Sequence, residues 1–204
     1  MSKLIFDTDS EAVRLPLAGA EVFYYENFLD ASRSESIFDE LLEQTQWQQD
    51  DIKVFGKVYP QPRLTALYAS NDKPYSYSNL TMYPKPFTPL LLELRDEIKK
   101  VTPEDFTTVL LNQYRDGSDS NGWHADDEKE LGQNPVIASL SFGAVRDFKF
   151  REKTNKSNTY KMQLQPGSLL LMKGSTQHLW QHQIPKTKKE VGKRINLTFR
   201  VLNS

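Results

Sequence analysis

No cysteine occurs in this sequence. Disulfides, zinc–thiolate centres and thiol nucleophiles are therefore excluded, and any bound metal must be held by histidine and carboxylate. Histidine is itself scarce: His124, His178 and His182 are the whole supply. No apolar run reaches the ~18 residues that span a bilayer. The opening stretch, MSKLIFDTDSEAVRLPLAGA, lacks the basic start and long apolar stretch of a secretory leader. Net charge is close to zero, −1 for the chain, so any grip on a polyanion has to come from local patches. There is no internal repeat and no low-complexity tract. These absences lead us to expect a soluble intracellular protein, a monomer with no membrane partner. It would reside in the nucleus if eukaryotic and in the cytoplasm if bacterial. The 204 residues suit one domain.

What is present is aromatic bulk. Eleven Phe, nine Tyr and three Trp supply a core although apolar residues make up only 38%. Texture changes near Pro103. Before it, EVFYYENFL (21–29) reads as a strand, and DASRSESIFDELLEQTQW (30–47) as a helix capped by Asp30 or Ser32. Ile37, Phe38, Leu41 and Leu42 share one face of that helix. DIKVFGKVYPQPR has two extended arms around Phe55-Gly56, a hairpin signal. RLTALYAS is a further strand candidate. TPLLLELRDEIKKVT starts a second helix with Thr88 as cap and Pro89 in its first turn, burying Leu91, Leu94 and Ile98. After Pro103 come short β-rich segments separated by Gly, Asn, Asp or Pro, the pattern of a sandwich or barrel. Among them QPGSLLLM reads as a turn followed by a fully buried strand.

Chemistry concentrates in three places. In NGWHADDE, His124 and Asp126 are two residues apart and point to one side of an extended chain. A third ligand would have to be His178 or His182, which alternation cannot tell apart because they share parity. Two histidines and a carboxylate on one face of an ion leave three positions open, the arrangement of non-haem Fe(II) oxygenases. A lone H-x-D is more often just a polar loop. In RINLTFR, Arg194, Asn196, Thr198 and Arg200 alternate with Ile195, Leu197 and Phe199. Such a stripe is either a solvated sheet face or, turned inward, a carboxylate pocket that exploits the arginine fork. LNQYR adds a shorter stripe, Asn112 and Tyr114.

These residues carry a family resemblance. NQYRDGSDSNGWHADDE, PVIASLSFGAVRDFKFR, GSLLLM, WQHQIP and RINLTFR, in this order from about Val54 to the end, resemble the AlkB family of Fe(II)- and 2-oxoglutarate-dependent dioxygenases. The similarity is greatest to homologues that work on duplex DNA. It implies an α+β, mainly β fold: a double-stranded β-helix, or jelly-roll, core in residues 104–204. Residues 1–103 would provide buttressing helices and a β-hairpin substrate lid at about 50–80, all within a single dioxygenase domain, 1–204. It implies Fe(II) on His124, Asp126 and His182, the last chosen by its place in HQIP, with His178 a strand-end or surface residue. It implies 2-oxoglutarate held by Asn112, Tyr114, Arg194, Asn196, Thr198 and Arg200, with Arg194 on the distal carboxylate and Arg200 nearer the metal. O2 is then the cosubstrate.

The implied reaction is oxidative demethylation of N1-methyladenine- and N3-methylcytosine-type bases in DNA, releasing formaldehyde, succinate and CO2. A methyl on the pairing edge is reachable only when the base leaves the stack. Tyr75, Ser76 and Tyr77 would line the base pocket, and Asp127 would meet the exocyclic amine. The tip Val54, Phe55, Gly56 and Lys57 would wedge into the gap, which favours duplex. Arg146 and Lys153, clustered with Arg151, and Lys186, Lys188 and Lys189 would meet backbone phosphates. The alternatives are the same chemistry on tRNA or mRNA, a hydroxylase of a protein or metabolite, and a metal-free binding module on the same scaffold.

Overall fold

The structure, a computed structural model, describes residues 11–202 except 55, 73–74 and 78–79. At 53–54, 75–77 and 80–81 only the backbone is described. After the short strand β1 (Val13–Arg14), β2 (Glu21–Tyr25) stops four residues short of the expected end. Helix α1 (Ala31–Gln44) follows, and the Asp30 carboxylate caps it by accepting the Arg33 backbone N–H at 2.9 Å. The helix ends before Trp47, because Thr45 is already extended, with ψ 127°, and Trp47 turns in to pack on the core. Next come the hairpin β3 (Asp51–Val54) and β4 (Lys57–Pro60), strand β5 (Leu64–Ala69), a second hairpin β6 (Tyr75–Tyr77) and β7 (Leu80–Met82), and the short β8 (Lys85–Pro86). Gly56, at the tip of the first hairpin, has φ +80°, a conformation that favours glycine. Helix α2 (Pro89–Ile98) starts as expected, with the Thr88 hydroxyl accepting the Leu91 N–H and Pro89 in the first turn.

The rest is mainly strand: β9 (Thr108–Tyr114), β10 (Asn121–His124), β11 (Ile137–Gly143), β12 (Arg146–Glu152), β13 (Thr159–Leu164) and β14 (Leu169–Lys173). A single helical turn, α3 (Thr176–Leu179), then leads into β15 (Trp180–Ile184), and β16 (Arg194–Arg200) closes the fold. Eight strands form a large sheet in the order β1-β2-β14-β11-β16-β9-β5-β8, and four form a small antiparallel sheet, β10-β15-β12-β13. The large sheet is antiparallel except where β8 joins β5. This is a jelly-roll sandwich with helices on one outer face. Leu41, Leu94 and Ile98 of the helices pack on Leu111, Ile195, Leu197 and Phe199 of the large sheet. Its opposite face meets the small sheet through Leu170 and Met172 against Phe148, Phe150 and Trp180.

The division of labour at residue 103 differs from the sequence-based expectation. The large sheet takes β1, β2, β5 and β8 from the first half. Without β2 and β5, the apolar strands β14 and β9 would be open edges, an aggregation hazard. Residues 64–69, inside the span assigned to the lid, are therefore core: five of the six are buried. What remains of the lid span is two separate two-stranded hairpins. No helix among the described residues is long and apolar enough to cross a membrane.

Candidate metal and dicarboxylate site

Alternation along β16 decides the site. Ile195, Leu197 and Phe199 face the helices, so Arg194, Asn196, Thr198 and Arg200 must face the space between the sheets. All seven residues of the strand are buried, which rules out the solvated-face reading of the stripe. β9 runs alongside in matched register, Asn196 opposite Asn112 and Arg194 opposite Tyr114. Its Leu111 points to the helices while Asn112 and Tyr114 share the stripe's side. Across the gap, β15 contributes His182 and β10 contributes His124. The two are cross-strand partners with ring centroids 4.3 Å apart.

His124, Asp126 and His182 offer ligand atoms that all lie within 4.8 Å of one another, the sole such group of three among the described residues. Asp126 follows the end of β10, where its backbone N–H donates to Gln177 Oε1 at 2.9 Å. Its Oδ2 accepts from Arg200 at 3.0 Å, while its buried Oδ1 has no hydrogen-bond partner. That oxygen stands 3.9 Å from His124 Nε2. A buried carboxylate oxygen left unmatched is costly, and a divalent cation is the group that satisfies it. The Gly122 carbonyl, which can only accept, lies 2.8 Å from His124 Nδ1. The ring proton therefore sits on Nδ1 and the Nε2 lone pair is left for a metal. Burial, then the neighbouring His124, push the His182 imidazole down to about 3. Burial likewise lowers His124. Burial would raise Asp126, but Arg200 and the two histidines more than offset it, and the carboxyl is held low. Both rings and the carboxylate are thus already in their metal-ready protonation states. His178 lies on α3, exposed and apart from this group.

The cleft around the group encloses about 470 Å³, open solvent at its mouth included. Asn112, Tyr114, Asn196, Thr198 and Arg200 line it. Asn196 donates to Ser139 Oγ at 2.7 Å and to the Leu140 carbonyl at 2.9 Å, and its Oδ1 accepts from Thr198 at 3.0 Å. Arg194 is not part of the lining. It lies fully buried beside Tyr114, its guanidinium carbon 5.3 Å from the ring centroid. One nitrogen donates to Ser141 Oγ at 2.9 Å, while Nε and Nη1 have no partner. Burial brings this guanidinium down to about 10, still charged at neutral pH. A buried cation with two unmatched N–H groups fits a carboxylate, and Asp126 fits a metal. The donor set thus suits iron together with a dicarboxylate.

Several partners escaped the sequence reading. Arg63 walls the cleft and donates from Nε to Asn112 Oδ1 at 2.8 Å. Gln177 anchors Asp126. Ser139 and Ser141 serve Asn196 and Arg194, and their alternation in IASLSFG was a readable signal.

Other assignments change. Arg146 is buried and donates to the carbonyls of Asp116 at 2.9 Å, Asp119 at 2.9 Å and Pro185 at 2.8 Å. Buried and committed to three backbone carbonyls, it is not a surface phosphate contact. Asp127 and Lys153, assigned to base and backbone respectively, pair with each other at 2.7 Å. Lys57, Lys186, Lys188 and Lys189 are exposed. Phe55 lies outside the described residues, as do the side chains of Val54, Tyr75, Ser76 and Tyr77.

Comparison with known proteins agrees with this chemistry. Residues 21–200 match the model of the 2OG-Fe(II) oxygenase superfamily. The chain is 42% identical over 196 residues to the mouse alpha-ketoglutarate-dependent dioxygenase alkB homolog 3, covering 92% of this chain and 68% of that protein. It is 40% identical over 179 residues to the human DNA oxidative demethylase ALKBH2, covering 83% of this chain and 69% of that one. Its fold is similar to the solved structure of OsALKBH1, with TM-score 0.68 at 17% identity, over 94% of this chain and 100% of that one.

Proposed function

The chain belongs to the 2OG-Fe(II) oxygenase superfamily, and we propose that it is an oxidative demethylase of N-alkylated bases in DNA, favouring duplex. The observation that carries this reading is the clustered His124–Asp126–His182 group set against the inward arginine stripe of β16, in a chain 40% identical to a protein named DNA oxidative demethylase. When bound, iron and 2-oxoglutarate supply O2-dependent hydroxylation of an N-methyl group, with release of formaldehyde, succinate and CO2.

The chain's own residues do the rest. His124, Asp126 and His182 would hold the metal, two histidines and one carboxylate being a donor set that suits Fe(II). Arg200 keeps Asp126 ionised and oriented through its 3.0 Å contact. Arg194, with Tyr114 packed beside it, would receive the far carboxylate through its unmatched Nε and Nη1. Asn112, Asn196 and Thr198 line the cleft between. Tyr77 would stack on the extruded base opposite the metal histidine, with Tyr75 and Ser76 lining the same pocket, and Asp127, on leaving its pair with Lys153, would read the exocyclic amine. The stretch Val54, Phe55, Gly56 and Lys57 would fill the gap left by the flipped base, which is why duplex is favoured. The exposed Lys186, Lys188 and Lys189 would meet phosphates without reading sequence. The protein would act as an intracellular monomer.

The test is incubation with Fe(II), 2-oxoglutarate, air and methylated oligonucleotides, single-stranded and duplex DNA and RNA in parallel, followed by mass spectrometry. Loss of one methylene mass per lesion, faster on duplex DNA and absent in His182→Ala, is the expected result. Succinate formation with every DNA untouched would overturn the DNA reading, and demethylated RNA alone would replace it with an RNA demethylase.

A further inference from the structure

Arg151 lies on the outer face of the small sheet, and the site chemistry described above makes no use of it. Along β12, Phe148 and Phe150 point into the sandwich, so Lys149 and Arg151 point away. Arg151 is paired in register with Gln181 of β15, and its Nε–H donates to Gln181 Oε1 at 2.9 Å. Its guanidinium carbon also lies 4.3 Å from the centroid of the Trp123 ring on β10, a close cation–π contact. Trp123 immediately precedes His124, and Gln181 immediately precedes His182. One side chain on the solvent side thus touches the residue before each metal histidine.

The backbone between those two strands needs such a brace. β10 and β15 share only two partner pairs, Asn121↔Ile184 and His124↔His182, with a register shift between them. A break of this kind leaves the ladder locally short of hydrogen bonds and free to splay. Asn121 offers a side-chain contact, 3.2 Å to His124 Nε2, at the very atom a metal needs. The Arg151 bridge lies on the other face and leaves that atom alone.

We propose that Arg151 is a positioning residue: by clamping Trp123 to Gln181 it fixes the spacing of the His124 and His182 imidazoles that hold the metal. This rests on the reading of His124, Asp126 and His182 as the metal site. The planar guanidinium is required, because it stacks on the indole while donating in its own plane to the amide oxygen. A lysine ammonium cannot do both.

The test uses the full chain, metal-free, titrated anaerobically with Co(II) in the presence of 2-oxoglutarate. Dissociation constant and d–d absorption are read for wild type, Arg151→Gln, Arg151→Lys, Trp123→Ala and Trp123→Phe. Loss of groups that orient a metal ligand commonly weakens the metal by about 10- to 100-fold. Arg151 acts one residue further out, so about a five- to tenfold loss is expected for Arg151→Gln, Arg151→Lys and Trp123→Ala, with an altered band shape. Trp123→Phe, which keeps a ring face, should recover most of the affinity. The Arg151→Gln/Trp123→Ala double variant should be no weaker than either single one. An unchanged Co(II) constant and spectrum would overturn the proposal, whether accompanied by a lower melting temperature alone or by weaker oligonucleotide binding, which would place Arg151 in the nucleic-acid interface instead. His182→Ala serves as the reference: if it binds Co(II) as wild type does, the metal-site reading fails, independently of Arg151.

Discussion

The cleft between the sheets and the first hairpin are built on opposite principles. In the cleft and just behind it, polar side chains are buried: Asp126 is 1% exposed and Arg194 0%. Such groups stay charged in the interior only because each finds a partner or waits for one. The β3–β4 hairpin keeps apolar groups in water: Val58 is 63% exposed and Tyr59 47%. The cleft withholds solvent from groups that prefer it, and the hairpin offers solvent to groups that do not. Under the proposed function the first inversion suits a metal with a dicarboxylate, and the second suits a nucleic-acid surface.

The largest effect should come from the cleft. His182→Ala removes one of the three candidate ligands and should abolish turnover while the apo protein stays folded, checked by succinate release and circular dichroism. Arg194→Gln comes next. Hydrogen bonds to a charged group are worth about 1.5–3 kcal/mol, so KM for 2-oxoglutarate should rise about 10- to 100-fold. The melting temperature of the cofactor-free protein should hold or rise, because a buried, under-partnered cation has gone. A drop in stability with unchanged KM would mean that Arg194 is structural.

The protonation states allow a third test. His182 is held down at about 3 and His124 is lowered too, whereas the unfolded chain takes up these protons near 6.5. Between those values the unfolded state binds more protons, so stability rises with pH and falls on acidification through that window. The size is on the order of a few kcal/mol, at about 1.4 kcal/mol per pKa unit. Asp126 adds a loss further down, as pH falls through the carboxylate range. Denaturant melts of metal-free protein from pH 7 to pH 4 should show this decline, and His182→Gln should flatten it. A profile indifferent to pH would show that the histidines are not desolvated as the geometry requires.

Period-two alternation made the β16 stripe legible, because burial of the apolar side fixes where the polar side goes. The same rule separates the charges of RDFKFRE: Arg146 shares parity with Phe148 and Phe150, so it points inward, while Arg151 points out. Charge clustering alone put the two together. The role of β5 was hidden for another reason. LTALYA reads as a strand, but nothing local says that it joins β9 rather than a neighbouring hairpin, since sheet partners are set by long-range pairing. His182 could be separated from His178 only by resemblance, as both have the same parity, and the helical turn α3 between β14 and β15 carries no sequence signal strong enough to predict. Gln177 anchors Asp126 from that same turn, so it was missed with it.

The smallest effect on the fold should be found in the hairpin, and there the comparison can be sharpened. Val58 and Tyr59 are exposed in a two-stranded sheet that pairs with nothing else. Replacing both by serine should change folding stability by no more than about 0.5 kcal/mol, as for ordinary surface sites. Succinate release without nucleic acid should be unchanged as well, since neither residue lines the cleft. Binding of a methylated duplex, read by fluorescence anisotropy, should weaken several-fold. If binding held while stability fell, the exposed apolar groups would be supporting the fold, and the hairpin would belong with the cleft as architecture rather than as a surface awaiting its partner.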